Sequence, residues 1–411
     1  MRRFPSPTSH RHLALSPLAV AACSLCLSLG VQAQNTPDDA STLPSVGVTA
    51  AAKRQAKASI AGLGDGPAWQ QPVQAQTFSE EMLKDAQVTR LADLTKLDAS
   101  VSDGYNTVGY IDTLTVRGFV LDNAYNYRRE GLPISAETRI GLENKAAVEV
   151  FKGTSGIQAG VSSPGGLVNF LVKRPEGRVR SATFSVDNTG DAMSAVDLGD
   201  RFGERRQWGV RVNAAIERLN SHVDDSEGHR RLAAVAVDHV FAPGQVLEAE
   251  IEHSFASQPS IPGFSMLGTN LPSASSIDPS INLNNQPWTQ PSQFRGTTAT
   301  IRLKNDWGQS WRSTVTYGAQ YLKSNDSAAF PSGCDAEGVY DRYCQDGSFD
   351  VYDFRSDDES RTTRAFLAQL EGSVETGSVK HDIGASFLRS VHFSDLHMAS
   401  FNYPPVGVGN I

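Results

Sequence analysis

Two short segments of the chain concentrate side chains that bind ligands without reacting with them. Residues 103–110 and 122–128 supply eight such groups, which are Tyr105, Asn106, Tyr110, Asn123, Tyr125, Asn126, Tyr127 and Arg128. Tyrosine offers a flat ring with a hydroxyl, and asparagine offers directed hydrogen bonds. Arginine adds a permanent positive charge for an anionic group. We therefore predict a ligand-binding surface on these two segments.

The sequence carries no pattern typical of an enzyme or a metalloprotein. It contains no H-E-x-x-H motif and no paired C-x-x-C motif, and its nine histidines are scattered. No nucleophile and base stand at a spacing that indicates catalysis. We predict no catalytic residues, no metal site and no cofactor. The formal net charge of −8 also argues against nucleic acid as a partner, because such proteins need basic surface.

Four motifs punctuated by glycine lie in order between residues 115 and 175. They are Thr115-Val116-Arg117-Gly118-Phe119, Arg129-Glu130-Gly131-Leu132-Pro133, Val148-Glu149-Val150-Phe151-Lys152-Gly153 and Pro164-Gly165-Gly166-Leu167-Val168-Asn169-Phe170-Leu171-Val172-Lys173-Arg174-Pro175. Apolar and β-branched runs bounded by glycine predict short strands joined by tight turns.

The order and spacing of these motifs resemble the plug domain of TonB-dependent siderophore receptors. Glu130 stands where that family usually has Asp, and Val172 where it has a small hydroxyl residue, but the pattern is otherwise kept. The resemblance implies an α+β plug domain followed by an antiparallel transmembrane β-barrel. It also implies that the two tyrosine-rich segments are outward plug loops that contact a ferric siderophore, with iron carried only as part of that ligand.

Four charged residues of the motifs are candidates for holding the plug in place. They are Arg117, Glu149, Lys152 and Arg174. A plug enclosed by a polar lumen should have its charges paired. We therefore predict that these residues form ion pairs between plug and barrel.

The N-terminal region predicts export. Residues 1–33 combine a basic start, an apolar run from Leu13 to Val31 and an A-x-A-like site, which is typical of a secretory signal peptide. A lipoprotein site at Cys23 is the alternative, but the apolar run continues past it. Loss of the three arginines of this leader would bring the net charge to −11.

Residues 34–67 have the composition of a flexible arm. One segment in it alternates β-formers with small residues, as does a peptide that adds a strand to a partner's sheet. It resembles the TonB box of the same family, and its residues are Leu43, Pro44, Ser45, Val46, Gly47, Val48, Thr49 and Ala50. The resemblance implies TonB of the TonB-ExbB-ExbD complex as a partner.

Two cysteines remain beyond the leader, Cys334 and Cys344. An even pair in an exported protein predicts a disulfide. A metal site is the alternative, but it would need further ligands.

The plug is predicted at residues 68–176. In residues 177–411 the pattern of apolar and polar residues is different. Apolar and polar residues alternate in about nine segments, at residues 181–188, 192–200, 208–217, 232–241, 246–255, 294–307, 311–324, 363–372 and 379–393. Short connections alternate with long ones at 220–231, 256–291 and 325–361, and only the first outer loop, 188–191, is short. Short periplasmic turns and long outer loops are typical of an outer-membrane barrel. Trp208, Trp307 and Trp311 fall near the short turns, as in an aromatic girdle.

A barrel that encloses a plug needs about 22 strands. We therefore expect a truncated chain or a fragment of a longer product.

The function predicted from these features is energy-coupled uptake of a ferric siderophore at the outer membrane of a Gram-negative bacterium. A receptor of the same fold for haem, cobalamin or a glycan is one alternative. An inactive fragment or a secreted β-rich binding protein is another.

Overall fold

The computed structural model describes residues 74–105, 107–153, 163–397, 400–401 and 404–411. Its first part is a small α+β domain that ends near Val172. The elements of this plug are β1 (Gln74–Ser79), α1 (Glu80–Asp85), a 3-10 helix (Leu91–Lys96), β2 (Val101–Asp103), β3 (Leu114–Val116), β4 (Phe119–Val120), β5 (Tyr127–Arg129), β6 (Leu132–Ile134), β7 (Lys145–Lys152) and β8 (Gly166–Val172). The predicted α+β plug is confirmed.

The plug is built on a five-stranded sheet of order β1-β7-β8-β5-β6. Its strands pair antiparallel except for β5 and β8, which run parallel. Strands β7 and β8 are buried over almost their whole length. This explains why the third and fourth motifs read as nearly continuous apolar runs. Behind them lies one core that includes Phe78, Leu94, Tyr127, Val148 and Phe170.

The glycines of the motifs mark turns. Glu130 and Gly131 have φ values of 54° and 83° and connect β5 to β6, as the motif predicts. Arg117 and Gly118, with φ values of 53° and 81°, form the turn of the β3–β4 hairpin. The chain therefore reverses between Val116 and Phe119, because two successive residues with positive φ form a tight turn.

The sequence predicts two short helices at the entry of the plug, at residues 79–84 and 89–97, and both are present. Ser79 caps α1, its hydroxyl accepting a hydrogen bond from the Met82 N–H at 3.3 Å. The second is a 3-10 helix whose leucines face the core. None of the described helices is both long enough and apolar enough to span a membrane.

The second part of the chain is a large antiparallel sheet in which each strand pairs with the next. It comprises β9 (Val179–Val186), β10 (Ala192–Phe202), β11 (Trp208–Leu219), β12 (Gly228–Ala242), β13 (Gln245–Gln258), β14 (Gln290–Trp307), β15 (Trp311–Pro331), β16 (Ser348–Thr376) and β17 (Val379–Asp395). Two short strands, β18 (Ser400–Phe401) and β19 (Gly407–Asn410), pair with β16. The prediction of about nine consecutive barrel strands is confirmed for the described residues.

The connections of this sheet alternate as predicted, with one correction. Short turns lie at 203–207, 243–244, 308–310 and 377–378, and a long loop covers 259–289. The segment 325–361 is mostly strand, since β15 continues to Pro331 and β16 begins at Ser348. The pairing of β15 with β16 therefore continues into the segment that the alternation of apolar and polar residues had indicated as a loop. Trp208, Trp307 and Trp311 lie at strand ends beside short turns, as predicted.

Candidate functional site: the plug–barrel interface and its outward loops

The plug lies against the face of the barrel sheet that carries acidic side chains. Along β13, Glu248, Glu250 and Glu252 are buried, whereas Ile251 between them is 51% exposed on the opposite face. Side chains of a strand alternate between its two faces, so the acids share one face, here called the lumen face. The plug supplies the partners of these acids.

The centre of the interface is a buried charge cluster. Arg129 of β5 makes a bidentate pair with Glu250, at 2.8 and 2.6 Å, and donates to Glu252 at 2.7 Å. Lys145 of β7 donates to the same Glu252 oxygen at 2.7 Å, and the Asn144 amide adds a third bond at 2.7 Å. Bidentate arginine–carboxylate pairs are strong and directional, so this cluster defines where the plug sits.

Further ion pairs surround this cluster. Glu130 bonds to Arg302 of β14 at 2.5 Å, and Lys173 bonds to Asp197 of β10 at 3.0 Å. Two more join Glu143 to Arg230 at 2.5 Å and Glu137 to Arg361. The plug is thus attached to strands from β10 to β16. Leu132 adds an apolar contact with Ala365 and Leu367.

Ion pairs do join the plug to the barrel, but the contacts seen for three of the four predicted residues lie within the plug. Lys152 pairs with Asp98 inside the plug at 2.5 Å, and Glu149 accepts a hydrogen bond from Asn169 of the neighbouring plug strand at 2.8 Å. Arg117 is exposed at the hairpin turn and bonds to Gln74, with no ion pair among the described residues.

Arg174 is the one predicted residue at the interface. It pairs at 3.5 Å with Glu130, which also holds Arg302, and its carbonyl accepts a hydrogen bond from Arg211 of β11 at 3.0 Å. It therefore contributes to the attachment through Glu130.

The residues that the prediction missed had one signal in the sequence. Glu248, Glu250 and Glu252 recur at every second position of one predicted strand, which places three acids on one face. A lumen face with three acids requires cations on the plug. Nothing in the sequence by itself identified Arg129 and Lys145 as those cations.

Burial and charge act in opposite directions on the titratable groups of the plug. Burial alone would raise the pKa of Glu130, but Arg302 and Arg174 outweigh it and lower the pKa to about 2. Burial lowers the pKa of Lys145, and Glu252 opposes that shift. Glu130 is therefore ionised in any neutral medium, as its ion pairs require.

The predicted ligand residues divide into an exposed set and a buried set. Tyr105 is 45% exposed and Tyr125 is 54% exposed. The Tyr110 ring meets Tyr105 edge-on at 5.9 Å and Phe294 of β14 at 5.6 Å, and Tyr125 meets His392 of β17 edge-on at 6.2 Å. Phe294 and His392 lie in the strand halves away from the short turns. The exposed tyrosines therefore lie toward the long loops.

Three other predicted ligand residues face the plug interior, so the expectation that they reach outward is wrong. Asn126 is fully buried and donates to the Gly166 carbonyl at 2.7 Å. Tyr127 is a fully buried member of the core. Arg128, 3% exposed, donates to the Tyr125 and Tyr127 carbonyls at 2.7 and 2.9 Å. Burial lowers the pKa of Arg128 to about 10. Asn126 lies directly before β5, and Tyr127 and Arg128 belong to it. The pairing of β5 within the plug sheet therefore keeps these three side chains inside the plug.

The remaining two predicted ligand residues are Asn123 and Asn106. Asn123 is half-buried and donates to the Asp112 carbonyl at 3.1 Å, so its amide is used within the plug. Asn106 lies outside the described residues. The loop around it is held against the barrel by an antiparallel bridge between Val108 and Ile261. Gly109 allows this approach, because a Cβ there would lie 1.8 Å from the Pro259 carbonyl oxygen.

A cavity of about 70 Å³ lies beneath the Tyr110 ring, between plug and barrel. Apolar rings and charged groups line it together, including Phe294, Phe354, Glu137 and Arg361. Tyr110 thus borders a partly polar space between plug and barrel. Aromatic faces beside hydrogen-bonding groups suit a large, flat, polar ligand.

Cys334 and Cys344 are joined in a disulfide, as predicted, with their Cα atoms 5.1 Å apart. The bond lies in the connection between β15 and β16, next to a small loop core that contains Tyr343, Phe349 and Val351. Glu337 lies close to the two sulfur atoms, but both sulfurs are used in the disulfide. This group is therefore a structural crosslink of an outer loop.

Two predicted N-terminal features, the leader at residues 1–33 and the TonB box at residues 43–50, lie outside the described residues. The geometry that is described defines a class of protein. It has a compact α+β plug, fixed by buried ion pairs to the lumen face of a meandering antiparallel sheet, with aromatic loops toward the long connections. This is the arrangement of a plugged outer-membrane barrel.

Comparison with known proteins agrees with this class. Residues 67–167 match the family model of the TonB-dependent Receptor Plug Domain. The chain is 24% identical over 355 residues to the ferrichrome receptor FcuA of Yersinia enterocolitica, covering 80% of this chain and 42% of that protein. It is 24% identical over 332 residues to the catecholate siderophore receptor Fiu of Escherichia coli K12, covering 74% of this chain and 41% of that protein.

Solved structures share the fold. BauA, the ferric preacinetobactin receptor of Acinetobacter baumannii, superposes with a TM-score of 0.73 at 19% identity, covering 87% of this chain and 52% of that one. The closed form of Fiu gives a TM-score of 0.71 at 20% identity, with coverages of 82% and 49%. The chain thus spans about half the length of the relatives that it matches. Residues 67–167 are thus a plug domain of the TonB-dependent receptor type, and the described chain shares the fold of the solved outer-membrane receptors.

Proposed function

We propose that this protein takes up a ferric siderophore across the outer membrane, with energy supplied through TonB. The similar proteins named above are receptors for ferrichrome, catecholate siderophores and ferric preacinetobactin. In this proposal the plug closes the lumen and its outward loops bind the ligand with the barrel loops. TonB pairs with residues 43–50 by strand addition and rearranges the plug.

One observation carries the proposal. Tyr105, Tyr110 and Phe294 form a chain of edge-on ring contacts that runs from the plug to the barrel. A ligand on these rings touches both parts at once, so its presence can bias how the plug is held. Tyr125 beside His392 offers a second aromatic contact on the same side. A ferric chelate presents apolar and carbonyl surface that such rings can bind.

The test measures ligand affinity in single alanine variants at Tyr105, Tyr110 and Tyr125. Ferrichrome and a ferric tricatecholate serve as probes, and quenching of intrinsic fluorescence gives the dissociation constant. We expect replacement of Tyr105 or Tyr110 to weaken binding of the preferred probe up to about tenfold. The matched control is Tyr317→Ala, because Tyr317 is 46% exposed on the outward face of β15, away from the plug.

The proposal fails if no plug variant weakens binding of either probe while surface level and fold are preserved. Equal loss in Tyr317→Ala would also count against it, because that loss would indicate a general effect of losing an exposed tyrosine.

A further inference from the structure

A pair of arginines stands on the outward face of the barrel, far from the plug. Arg231 of β12 and Arg295 of β14 are exposed and flank Phe255 of β13 in the register of the sheet. Their guanidinium carbons lie 4.9 and 5.4 Å from the centre of the Phe255 ring. The ring is only 9% exposed although it is on the outward face, because the two arginines cover it. Cation–π contact fixes both charges in one place.

The cluster lies at the border of the apolar band of the barrel. On the same outward faces, toward the short turns, Val235, Ile251 and Ile301 are 40%, 51% and 47% exposed. Toward the other end the same strands lead into the long loops. The arginines therefore stand at the level where lipid tails give way to headgroups on the outer side.

Neither charge is neutralised by a direct ion pair in the part of the chain that the structure describes. Neither Arg231 nor Arg295 forms an ion pair there, and the His229 ring packs on Phe255 at 5.5 Å without adding an acid. The carboxylates at this end have other partners. Glu227 pairs with Arg218 at 2.7 Å. Asp358 pairs with Lys323 at 2.8 Å and attracts Arg295 only at longer range. Two neighbouring cations beside a low-dielectric lipid phase repel each other unless an anion joins them.

We propose that Arg231, Phe255 and Arg295 form a binding site for the phosphate-bearing headgroup of an anionic membrane lipid. The planar guanidinium groups match the oxygens of a phosphate group in bidentate fashion. The apolar band below them receives the acyl chains of the same molecule. This combination of charge and apolar surface selects a lipid over a free anion.

The experiment measures how much lipid the purified protein retains. Mixed detergent micelles contain either phosphatidic acid or phosphatidylcholine, and native mass spectrometry counts the lipid molecules bound to each protein. The variants are Arg231→Gln, Arg295→Gln and the double variant, with Arg231→Lys combined with Arg295→Lys as the charge-preserving form. Arg312→Gln is the control, because Arg312 is exposed beside a short turn at the opposite end and already pairs with Asp306 at 2.8 Å.

We expect wild type to retain phosphatidic acid in preference to phosphatidylcholine. Each glutamine should reduce that affinity about fivefold and the pair about 25-fold, because one basic residue near a lipid surface contributes about 1 kcal/mol. The double lysine variant should keep most of the binding, and Arg312→Gln all of it. Thermal unfolding in detergent alone checks that every variant is folded.

Three results would overturn the proposal. The double glutamine variant could retain as much phosphatidic acid as wild type. The control could lose as much as the double variant, which would show a general effect of surface charge. Inorganic phosphate could displace the lipid, which would show a free-anion site.

Discussion

Three plug side chains meet on Glu252 of β13. One of its oxygens accepts hydrogen bonds from Arg129, Lys145 and Asn144, each at 2.7 Å. Two of these donors are cations with at most 2% exposure. Taking away one partner of a buried pair costs more than the pair contributes, because the remaining charge stays buried without compensation.

We therefore predict that Glu252→Gln lowers the free energy of unfolding by about 3–5 kcal/mol. Urea unfolding in detergent measures it, and protease release of the plug reports its attachment. Glu227→Gln is the control, because Glu227 makes an exposed pair with Arg218 and should change stability by less than about 1 kcal/mol. Similar losses in the two variants would mean that the buried cluster does not hold the plug.

Glu130 makes the stability of the interface depend on pH in a defined direction. Its pKa is about 2 in the folded protein, against an ordinary value of 4.5. A lowered pKa means that its contribution is complete above pH 4.5 and is lost as the pH falls toward 2.

Glu130→Gln should remove this part of the pH dependence and lower stability at neutral pH, on the order of 3 kcal/mol. Free energies of unfolding measured from neutral pH downward test the prediction. If the free energy of unfolding of Glu130→Gln falls with pH in parallel with that of wild type, other carboxylates cause the acid sensitivity.

At the scale of the elements, the β7–β8 hairpin depends on one glycine. Gly166 has a φ of 127°, and a Cβ on it would lie 1.7 Å from the Phe151 carbonyl oxygen. Both facts exclude a side chain at the start of β8. The Gly-Gly pair of the fourth motif therefore has a backbone function.

Gly166→Ala should destabilise the plug by about 3 kcal/mol or more, from backbone strain together with steric overlap. Gly177→Ala is the matched control, because no atom lies within 4 Å of a Cβ built there. Protease resistance of the plug and its unfolding midpoint distinguish the two variants. If Gly166→Ala is as stable as Gly177→Ala, the prediction that the start of β8 excludes a side chain is wrong.

The disulfide acts on a single loop. Replacing Cys334 and Cys344 together by serine should cost that loop about 2–3 kcal/mol, the closure entropy of a short crosslink. Hydrogen exchange should rise in residues 332–347 and stay unchanged in the plug. Free-thiol labelling of both cysteines in exported, unreduced protein would contradict the bond itself.

At the scale of the whole molecule, the plug–barrel ion pairs lie between the two ends of the plug. The rings of Tyr105, Tyr110 and Tyr125 lie toward the long loops, and the buried ion pairs lie between them and the short turns. In the proposed function, energy must reach these pairs from the N-terminal arm, through β1 at the edge of the plug sheet.

Deleting residues 43–50 should abolish uptake of a ferric siderophore but leave its affinity unchanged, because the arm precedes the plug. Radiolabelled iron uptake and fluorescence quenching measure the two properties in the same cells and membranes. Deletion of an equal length at residues 53–60 is the control for arm length. Loss of affinity at normal surface level would contradict this division of labour.

The sequence by itself determined the features that depend on neighbouring residues. Glycine at the motif turns, the Ser79 cap of α1 and the two-residue alternation of the barrel strands are local properties. The alternation of short and long connections followed from the same pattern. The cysteine pair in one loop was equally local, since its members are ten positions apart.

The tertiary structure alone decided which charges meet and which tyrosines reach the surface. Arg129 and Glu252 are 123 positions apart, and their pairing depends on how the plug is rotated against the sheet. No local pattern encodes that rotation. Likewise, Tyr125 and Tyr127 lie two residues apart in one motif, yet one is exposed and the other is fully buried. Tyr127 belongs to β5 and its ring packs in the plug core, whereas Tyr125 lies before that strand. The difference in burial therefore arises only when the sheet is assembled.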